Sequence, residues 1–403
     1  MPSFVTHLEA AIDGTRLEAR TAQTLHDGRP LWVRYDLDAI RNAVDRNALQ
    51  SRLASMWRYR ELLPFEDESH IISLGETTTP LIHCQRLGKV LSLSNLWIKD
   101  ESRLPTASFK ARGMAMAVTM AHELGVTSVA VPTAGNAGGA LAAYAARAGM
   151  QCTVLMPRDT PIVNQAEAAL HGARCFLVDG LINDCGRMIR DGAKQFGWFD
   201  MSTLKEPYRI EGKKTMGLEL ADQLGWSLPD VILYPTGGGT GLIGMWKAFN
   251  ELQQLGWLEQ HGRSLPRMIA CQSSGCAPIV DAFENGERFA QPPDHPHTIA
   301  SGLRVPIAVG DFMILDAVRA SRGRAVAADE TQLQSWMQRA AALEGIDLCP
   351  ESAACLDVAD QGVKDGWLAH DEHIVLFNTG LAQKYIEVIN ADLKTITSID
   401  EVR

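Results

Sequence analysis

Short apolar runs alternate with longer segments of helical periodicity along most of the chain after residue 95. The runs predict buried strands at residues 96–99, 128–131, 152–156, 175–178, 231–234, 268–271 and 373–377. Between them, Met114–Leu124 and Ala140–Ala148 have the apolar spacing of helices. Because strands that alternate with helices are typical of parallel sheets, the pattern predicts two parallel-sheet α/β domains with the active site in the crevice between them.

The remaining pattern suggests how the chain is divided. We expect an N-terminal segment, an N-terminal catalytic region with a smaller subdomain, and a larger C-terminal α/β domain, at residues 1–50, 51–215 and 216–403. In the first segment, Leu31–Tyr35 is a candidate strand. A linker is expected near residues 205–216, and the proline- and histidine-rich stretch Asn285–Ser301 predicts a loop.

Composition narrows the class of protein. The chain has 403 residues, of which 46% are hydrophobic and 21% charged, as in an ordinary globular protein with a sizeable core. The formal net charge of -10 argues against a nucleic-acid or anionic-membrane partner. Met1–Glu9 contains no signal-peptide core, and no run approaches a membrane span. The eight cysteines are scattered without a Cys-x-x-Cys pair, so we expect a reducing, cytoplasmic location without disulfides or a thiolate metal site.

Lys110 is the first candidate for chemistry. It lies in the small-residue turn Pro105–Gly113, before the predicted helix, and Ser108 or Thr106 is expected to cap that helix. The positive end of a helix disfavours an ammonium group and favours a neutral amine, which is the form needed for Schiff-base chemistry. Alone, this residue is most simply interpreted as a surface lysine, so its assignment depends on three further loops.

A glycine-rich turn follows the predicted strand at 231–234 and precedes a helix that is expected to open at Leu242. Backbone N–H groups of such a turn, together with a helix N-terminus, favour a phosphate. The turn, Pro235–Gly241, lacks the lysine of a P-loop and the spaced glycines and later acidic residue of a dinucleotide site. A single phosphate is therefore the better ligand, and a simple tight turn is the alternative.

Two other small-residue turns also follow predicted strands. In Thr133–Gly139, backbone N–H groups at Thr133, Ala134 and Gly135 could bind a carboxylate, and Asn136 offers both a donor and an acceptor to a ring hydroxyl. After the last strand, Thr379 could place a neutral hydroxyl against a buried acceptor. Each is weak alone, but ligands of parallel sheets bind at the carboxyl ends of strands. Together with Lys110 and the phosphate turn, they describe a site for pyridoxal 5'-phosphate.

Five stretches resemble the threonine synthase family within the fold-type II pyridoxal-phosphate enzymes, the class of the tryptophan synthase β subunit. They are Met56–Pro64, Ser73–Leu81, Pro105–Gly113 (with Ala107 where the family has glycine), Pro207–Thr215 and Pro350–Ala354. The resemblance implies that Lys110 carries the cofactor as a Schiff base and acts as the general base at the substrate α-carbon. It implies that Asn136 contacts the ring hydroxyl and Thr379 the ring nitrogen. The cofactor phosphate would be held by Gly237, Gly238, Gly239, Thr240 and Gly241.

The chain departs from the family in two places. Its N-terminal segment resembles the family's zinc knuckle, but Ala10 and Asp13 stand where cysteines are expected, so we predict a metal-free remnant. Arg209 is retained as a contact to the substrate phosphate. Lys, Ser, Asn and Thr would be expected at four further contacts, which are here Asn164, Leu204, Gly238 and Ala134. The nearby basic residues Lys205, Lys213 and Lys214 could rebuild an anion site with Arg209 or form a solvated face.

The leading interpretation is therefore a pyridoxal-phosphate-dependent lyase that converts O-phospho-L-homoserine and water to L-threonine and phosphate. Alternatives with the same cofactor are a threonine or serine dehydratase, because the phosphate loop resembles that of dehydratases, and a β-replacement enzyme acting on an activated serine. A nicotinamide oxidoreductase and a cofactor-free binding protein are less consistent with the motifs. We expect a small amino-acid substrate, a homodimer and no regulatory extension after Arg403.

Overall fold

Three β-sheets organise the chain, for which a computed structural model describes residues 3–259, 264–389, 393 and 395–398. The strands are β1 (Val5–Ala10), β2 (Arg16–Leu17), β3 (Leu31–Tyr35), β4 (Leu81–His83), β5 (Leu96–Asp100), β6 (Ser128–Pro132), β7 (Gln151–Pro157), β8 (Arg174–Val178), β9 (Phe199–Asp200), β10 (Val231–Pro235), β11 (Arg267–Ser273), β12 (Arg324–Ala328) and β13 (Ile374–Asn378). The two larger sheets are predominantly parallel, so the predicted α/β class is confirmed.

Helices cover the faces of these sheets. The α-helices are α1 (Leu37–Ala43), α2 (Gln85–Leu91), α3 (Lys110–Glu123), α4 (Asn136–Arg147), α5 (Ile162–Leu170), α6 (Ile182–Phe196), α7 (Tyr208–Gln223), α8 (Thr240–Leu255), α9 (Pro278–Glu284), α10 (Asp311–Ala320), α11 (Leu333–Glu344) and α12 (Pro350–Lys364). Short 3-10 helices occupy residues 46–51, 56–62, 68–70, 101–103, 105–107, 301–303, 330–332 and 382–388. Among the described residues, no helix is both long enough and apolar enough to cross a membrane.

The larger sheet has the order β12-β11-β10-β13-β5-β4, and β4 alone of these strands pairs antiparallel. Every residue of β10 and β13 is buried, which explains why these central strands are continuous apolar runs. The smaller sheet has the parallel order β8-β7-β6-β9. The carboxyl ends of β6, β10 and β13 carry the three turns singled out in the sequence.

Three helices begin earlier than predicted. Helix α3 starts at Lys110 instead of Met114. Helix α4 starts at Asn136 instead of Ala140, and α8 starts at Thr240 instead of Leu242. The glycines of the first turn of α4 were read as turn residues, but they serve close packing. A Cβ atom on Gly138 would lie 2.5 Å from Cγ2 of Thr133, and one on Gly139 would lie 1.9 Å from a carboxylate oxygen of Glu167.

The prediction of a linker near residues 205–216 is wrong. Most of residues 205–216 belong to α7, which begins at Tyr208 and is buried through Asp222. Strands β4 and β5, which precede the smaller sheet in the chain, pair within the larger one. The chain therefore starts the larger sheet, builds the smaller one and returns through α7, and the expected boundary after residue 215 falls inside this helix.

The N-terminal segment forms a separate antiparallel sheet with the order β2-β1-β3. Ala10 is buried at the end of β1, and the carboxylate of Asp13 accepts a hydrogen bond from the backbone N–H of Thr15 at 2.9 Å. Across the described part of the chain, no group of three or more His, Cys, Asp or Glu side chains is placed to hold a metal ion. Ala10 thus packs in the core and Asp13 stabilises a turn, at the two positions where the resemblance leads one to expect cysteines.

Candidate active site

Loops from the carboxyl ends of both parallel sheets enclose a cavity of about 430 Å³. Most of the residues singled out in the sequence line it, namely Lys110, Thr133, Ala134, Gly135, Asn136, Gly237, Gly238, Gly239, Thr240, Gly241 and Thr379. Their turns are far apart in the chain, and the parallel topology brings them together.

Lys110 is the first residue of α3, and the turn before it is tied to the end of β13. The backbone N–H of Phe109 donates to the carbonyl of Thr379 at 3.0 Å, and that of Leu381 donates to the carbonyl of Ala107 at 3.1 Å. Ala107 has a φ of +49°, a left-handed conformation that favours glycine. The expected cap is wrong, because neither Ser108 nor Thr106 caps α3 with its side chain. Backbone bonds to β13 hold the turn instead.

The environment of Lys110 lowers the pKa of its amine towards physiological pH. Burial, and after it the charge of Arg209, lowers the pKa of Lys110 to about 8, whereas Glu351 opposes this shift. The Nζ atom lies 4.0 Å from the centroid of the Phe109 ring. The expected direction of the shift is therefore present, although burial causes it and the helix terminus is not its main source.

The glycine turn between β10 and α8 approaches its neighbours so closely that side chains are excluded. Gly239 has a φ of +74°. A Cβ atom on Gly237 would lie 2.2 Å from the carbonyl oxygen of Gly302, and one on Gly241 would lie 1.9 Å from the hydroxyl oxygen of Tyr234. No side chain caps the N-terminus of α8. An uncapped helix N-terminus behind a glycine turn is a site for an anion.

Asn136 and Thr379 lie in separate hydrogen-bond networks. The amide nitrogen of Asn136 donates to the hydroxyl of Tyr385 at 3.1 Å, and this hydroxyl donates to the carboxylate of Glu351 at 2.9 Å. The hydroxyl oxygen of Thr379 lies 3.4 Å from that of Ser352 and 3.5 Å from the sulfur of Cys349. The side chains around Thr379 are neutral, since burial raises the pKa of the Cys349 thiol to about 12.

Arg209 does not line the cavity. It is buried, and its Nη1 atom donates to the carbonyl of Met201 at 2.7 Å. The expected basic cluster is dispersed. Lys213 donates to the carbonyl of Phe109, and Lys214 forms an ion pair of 2.8 Å with Glu211. Of this cluster, Lys205 is the member that lines the cavity.

Sequence reasoning missed several charged residues of the cavity wall. Arg187 and Arg190 of α6, Arg304 and Glu351 all line it. Arg187 forms an ion pair of 2.7 Å with Asp184, and Arg304 one of 2.8 Å with Asp159. The two arginines of α6 are three residues apart, but this spacing is equally typical of a solvated helix face. Nothing in the sequence pattern separates the two cases.

Comparisons with known proteins agree with this geometry. The model of the family "Pyridoxal-phosphate dependent enzyme" matches residues 72–380. The chain is 36% identical over 358 residues to a threonine synthase of Methanocaldococcus jannaschii, covering 89% of this chain and 87% of the relative. It is 34% identical over 378 residues to a threonine synthase of Methanosarcina acetivorans, covering 93% and 91%.

Solved structures agree on the fold. Maize serine racemase superposes with a TM-score of 0.65 at 20% identity, covering 76% of this chain and 88% of that one. The L-serine ammonia-lyase of the fungus Rhizomucor miehei superposes with a TM-score of 0.62 at 20% identity, covering 77% and 98%. The chain therefore belongs to the pyridoxal-phosphate-dependent enzymes of fold type II, in the threonine synthase family.

Proposed function

We propose that this enzyme is a threonine synthase, which converts O-phospho-L-homoserine and water to L-threonine and phosphate. The observation that carries the proposal is a single cavity lined both by a glycine turn and by four cationic side chains. The glycine turn lies at the N-terminus of α8, and the cationic side chains form a basic wall of Arg187, Arg190, Lys205 and Arg304. A cofactor phosphate and a substrate phosphate would each need one such group of donors. The curated relatives named threonine synthase support the same reaction.

The residues present fit pyridoxal phosphate. Lys110 offers a lysine amine of lowered pKa, and the uncapped glycine turn offers backbone N–H groups to a monophosphate. The side-chain oxygen of Asn136 is buried and has no hydrogen-bond partner among the described residues. Thr379 presents a neutral hydroxyl. These four elements would hold the amine-reactive carbonyl, the phosphate, the ring hydroxyl and the ring nitrogen, respectively.

The bound cofactor supplies an electron sink conjugated to the substrate α-carbon. Lys110 carries out the proton transfers, because an amine with a pKa of about 8 can both accept and return a proton near neutral pH. A neutral partner such as Thr379 leaves the ring nitrogen without a charge-stabilising acid, which favours elimination over transamination. The turn Thr133–Gly135 would bind the substrate carboxylate with the backbone N–H of Ala134, because the N–H groups of Thr133 and Gly135 already donate to the carbonyl of Leu155 and to the hydroxyl of Thr133.

The substrate phosphate is assigned to the basic wall. Lys205 forms an ion pair of 3.1 Å with Asp200, and the pairs of Arg187 and Arg304 likewise involve one acidic residue each. Within the described ranges, Arg190 has no ion pair, so its guanidinium is available to a ligand. Arg209 does not line the cavity, but its charge helps to lower the pKa of Lys110.

A second candidate is a threonine or serine ammonia-lyase. The position of Arg209 favours it, because the one retained family contact to substrate phosphate is turned to the Met201 carbonyl. Leu204 and Asn164, which stand at two positions where the family is expected to contact the substrate phosphate, are also buried and do not line the cavity. An unphosphorylated hydroxy amino acid would not need these contacts.

One assay separates the two candidates. Purified enzyme is given O-phospho-L-homoserine, L-threonine or L-serine, and phosphate, ammonia and threonine are all measured. The proposal expects threonine and phosphate in equal amounts from phosphohomoserine. Ammonia from threonine or serine, with no phosphate from phosphohomoserine, would transfer the function to the ammonia-lyase.

We propose further that the enzyme is a cytoplasmic homodimer. Its eight cysteines are all free, as suits a reducing compartment. Strand β8 is an edge strand with Phe176 and Leu177 about half exposed, and Leu170 nearby is 84% exposed. An apolar sheet edge of this kind is a surface that a second subunit would cover. Sedimentation equilibrium of wild type and Phe176→Glu would test this, with a dimer expected for wild type and a monomer for the variant.

A further inference from the structure

Glu351, Tyr385 and Asn136 form a continuous hydrogen-bonded chain in the wall of the cavity. Asn136 donates to Tyr385 at 3.1 Å, and Tyr385 donates to Oε1 of Glu351 at 2.9 Å. The backbone N–H of Gly302 donates to the same carboxylate oxygen at 2.8 Å. All three side chains line the cavity and are nonetheless buried, with exposed fractions of 8% for Asn136, 2% for Tyr385 and 5% for Glu351.

Glu351 is a position that the family resemblance does not explain. Glu351 lies within the resembling stretch Pro350–Ala354, directly after Pro350, and the resemblance assigns it no role. The carboxylate lies in the first turn of α12, where the helix N-terminus stabilises a negative charge. No cation of the described residues forms an ion pair with it. Its second oxygen, Oε2, is buried without a hydrogen-bond partner in the same part of the chain.

The direction of the hydrogen bonds fixes the orientation of Asn136. An ionised carboxylate can only accept, so the hydroxyl hydrogen of Tyr385 points to Glu351. The hydroxyl oxygen then accepts, and Asn136 must present its nitrogen to Tyr385. Its carboxamide oxygen is left without a partner, as observed. If the carboxylate were absent, Tyr385 could donate to Asn136 and the carboxamide could turn over.

We propose that Glu351 is a positioning residue that holds the Asn136 carboxamide in one orientation through Tyr385 and places a negative charge without an ion-pair partner in the wall of the cavity that Lys110 also lines. The inference rests on the proposed function in one respect, namely that the cofactor is bound at Lys110. When the Lys110 nitrogen is bonded to the cofactor, a negative charge in this cavity would favour its protonated form, which reacts more readily with a substrate amine.

Other charged groups around Lys110 act on the same nitrogen. Arg209 and Lys213 approach from α7 and Lys384 from the 3-10 helix at 382–388, and all three disfavour a further positive charge. From the start of α12, Glu351 acts in the opposite sense, and so would an ionised Cys349. Because burial raises the pKa of Cys349 to about 12, its thiol is neutral at ordinary pH. Glu351 is thus the carboxylate that offsets these cations.

The test is a pH titration of the visible absorbance of the purified holoenzyme, without substrate. Glu351→Gln keeps an oxygen that can accept from Tyr385 and Gly302 but removes the charge. We expect the pH midpoint of the absorbance change to fall by about one unit, because the protonated nitrogen loses an opposite charge. Asp360→Asn is the matched control, because it also removes one carboxylate from α12. Asp360 forms an ion pair with Lys364 at 2.6 Å. The pH midpoint of this variant should equal that of wild type.

A second variant separates orientation from charge. Tyr385→Phe keeps the carboxylate but breaks the link to Asn136, so the dissociation constant of the cofactor should rise by about fivefold, as for one lost hydrogen bond. A midpoint in Glu351→Gln equal to that of the control, or cofactor binding in Tyr385→Phe equal to that of wild type, would overturn the proposal. The readouts need no substrate, so an error in the assigned substrate leaves them unaffected. A wild-type protein that stays colourless with cofactor would instead contradict the proposed function.

Discussion

Two groups of charged side chains include residues of α3: one is fully buried and paired in the core, and the other lines the cavity without ion-pair partners in the part of the chain that the structure describes. In the core, Arg112 donates to Glu101 at 2.6 Å and lies 2.9 Å from Glu219, which also pairs with Lys99 at 2.5 Å. All four side chains are fully buried, and their charges cancel. Around the cavity, Lys110 and Glu351 have no ion-pair partner among the described residues.

The difference follows from what each group binds. Burial alone would raise the pKa of Glu219, but Arg112 and Lys99 lower it to about 2, so the core network is locked in its charged form. Burial lowers the pKa of Lys110 to about 8, and Glu351 opposes this shift only in part. The core charges pair with one another, whereas we expect the cavity charges to interact with a bound cofactor and substrate. Removing a core charge should therefore affect stability, and removing a cavity charge should affect chemistry.

The largest effect is expected for Lys110→Ala. Turnover should fall on the order of a thousand-fold or more, because the general base and the attachment point are lost together. The free energy of unfolding should stay close to that of wild type, since the ammonium group has no ion-pair partner to leave unpaired. Steady-state assays and urea denaturation check the two halves. A large loss of stability would place Lys110 with the structural charges.

Arg112→Met tests the other side of the comparison. It leaves Glu101 and Glu219 buried with one cation between them, so the free energy of unfolding should fall by about 3–5 kcal/mol. Arg103→Met is the control, because Arg103 is largely exposed in its ion pair with Asp100 and its loss should cost much less. Equal losses in urea denaturation would contradict the view that the core network is structural.

A third prediction concerns pH. Only the neutral amine of Lys110 can attack the cofactor carbonyl, and with a pKa of about 8 the neutral fraction rises as the pH passes through 8. The rate at which apoenzyme recombines with pyridoxal phosphate should rise roughly tenfold between pH 7 and pH 9 and then level off. A rate that continues to rise beyond pH 10 would indicate an ordinary, unshifted lysine.

Some parts of the fold and of the candidate site could be predicted from the sequence, and others could not. Strands β10 and β13 were readable because burial on both faces makes them continuous apolar runs, and their following turns located the cavity. The start of α4 was misplaced because Gly138 and Gly139 pack within a helix, while the pattern suggested a turn, and α8 likewise includes Gly241 in its first turn. The core network was not foreseen, because partners such as Arg112 and Glu219 are distant in sequence. Arg209 was placed at the substrate by resemblance, and its bond to the Met201 carbonyl could not be read from the chain.

The smallest effect is expected in the basic wall. Arg190→Ala should raise the KM for phosphohomoserine about tenfold with little change in kcat, because a charge-assisted contact on a partly exposed side chain contributes about 1.4 kcal/mol. Lys194→Ala is the control, since Lys194 lies on the same helix but does not line the cavity. A KM that is unchanged in Arg190→Ala would remove α6 from the substrate site.

The most direct test of the central claim is to identify the lysine that binds the cofactor. Lys213 is the internal competitor, because burial holds its pKa well below the usual value and its ammonium lies 4.0 Å from the same Phe109 ring. Holoenzyme is reduced with borohydride, digested and analysed by mass spectrometry. We expect the pyridoxyl group on the peptide that contains Lys110. A label on Lys213 or on any other lysine would contradict it.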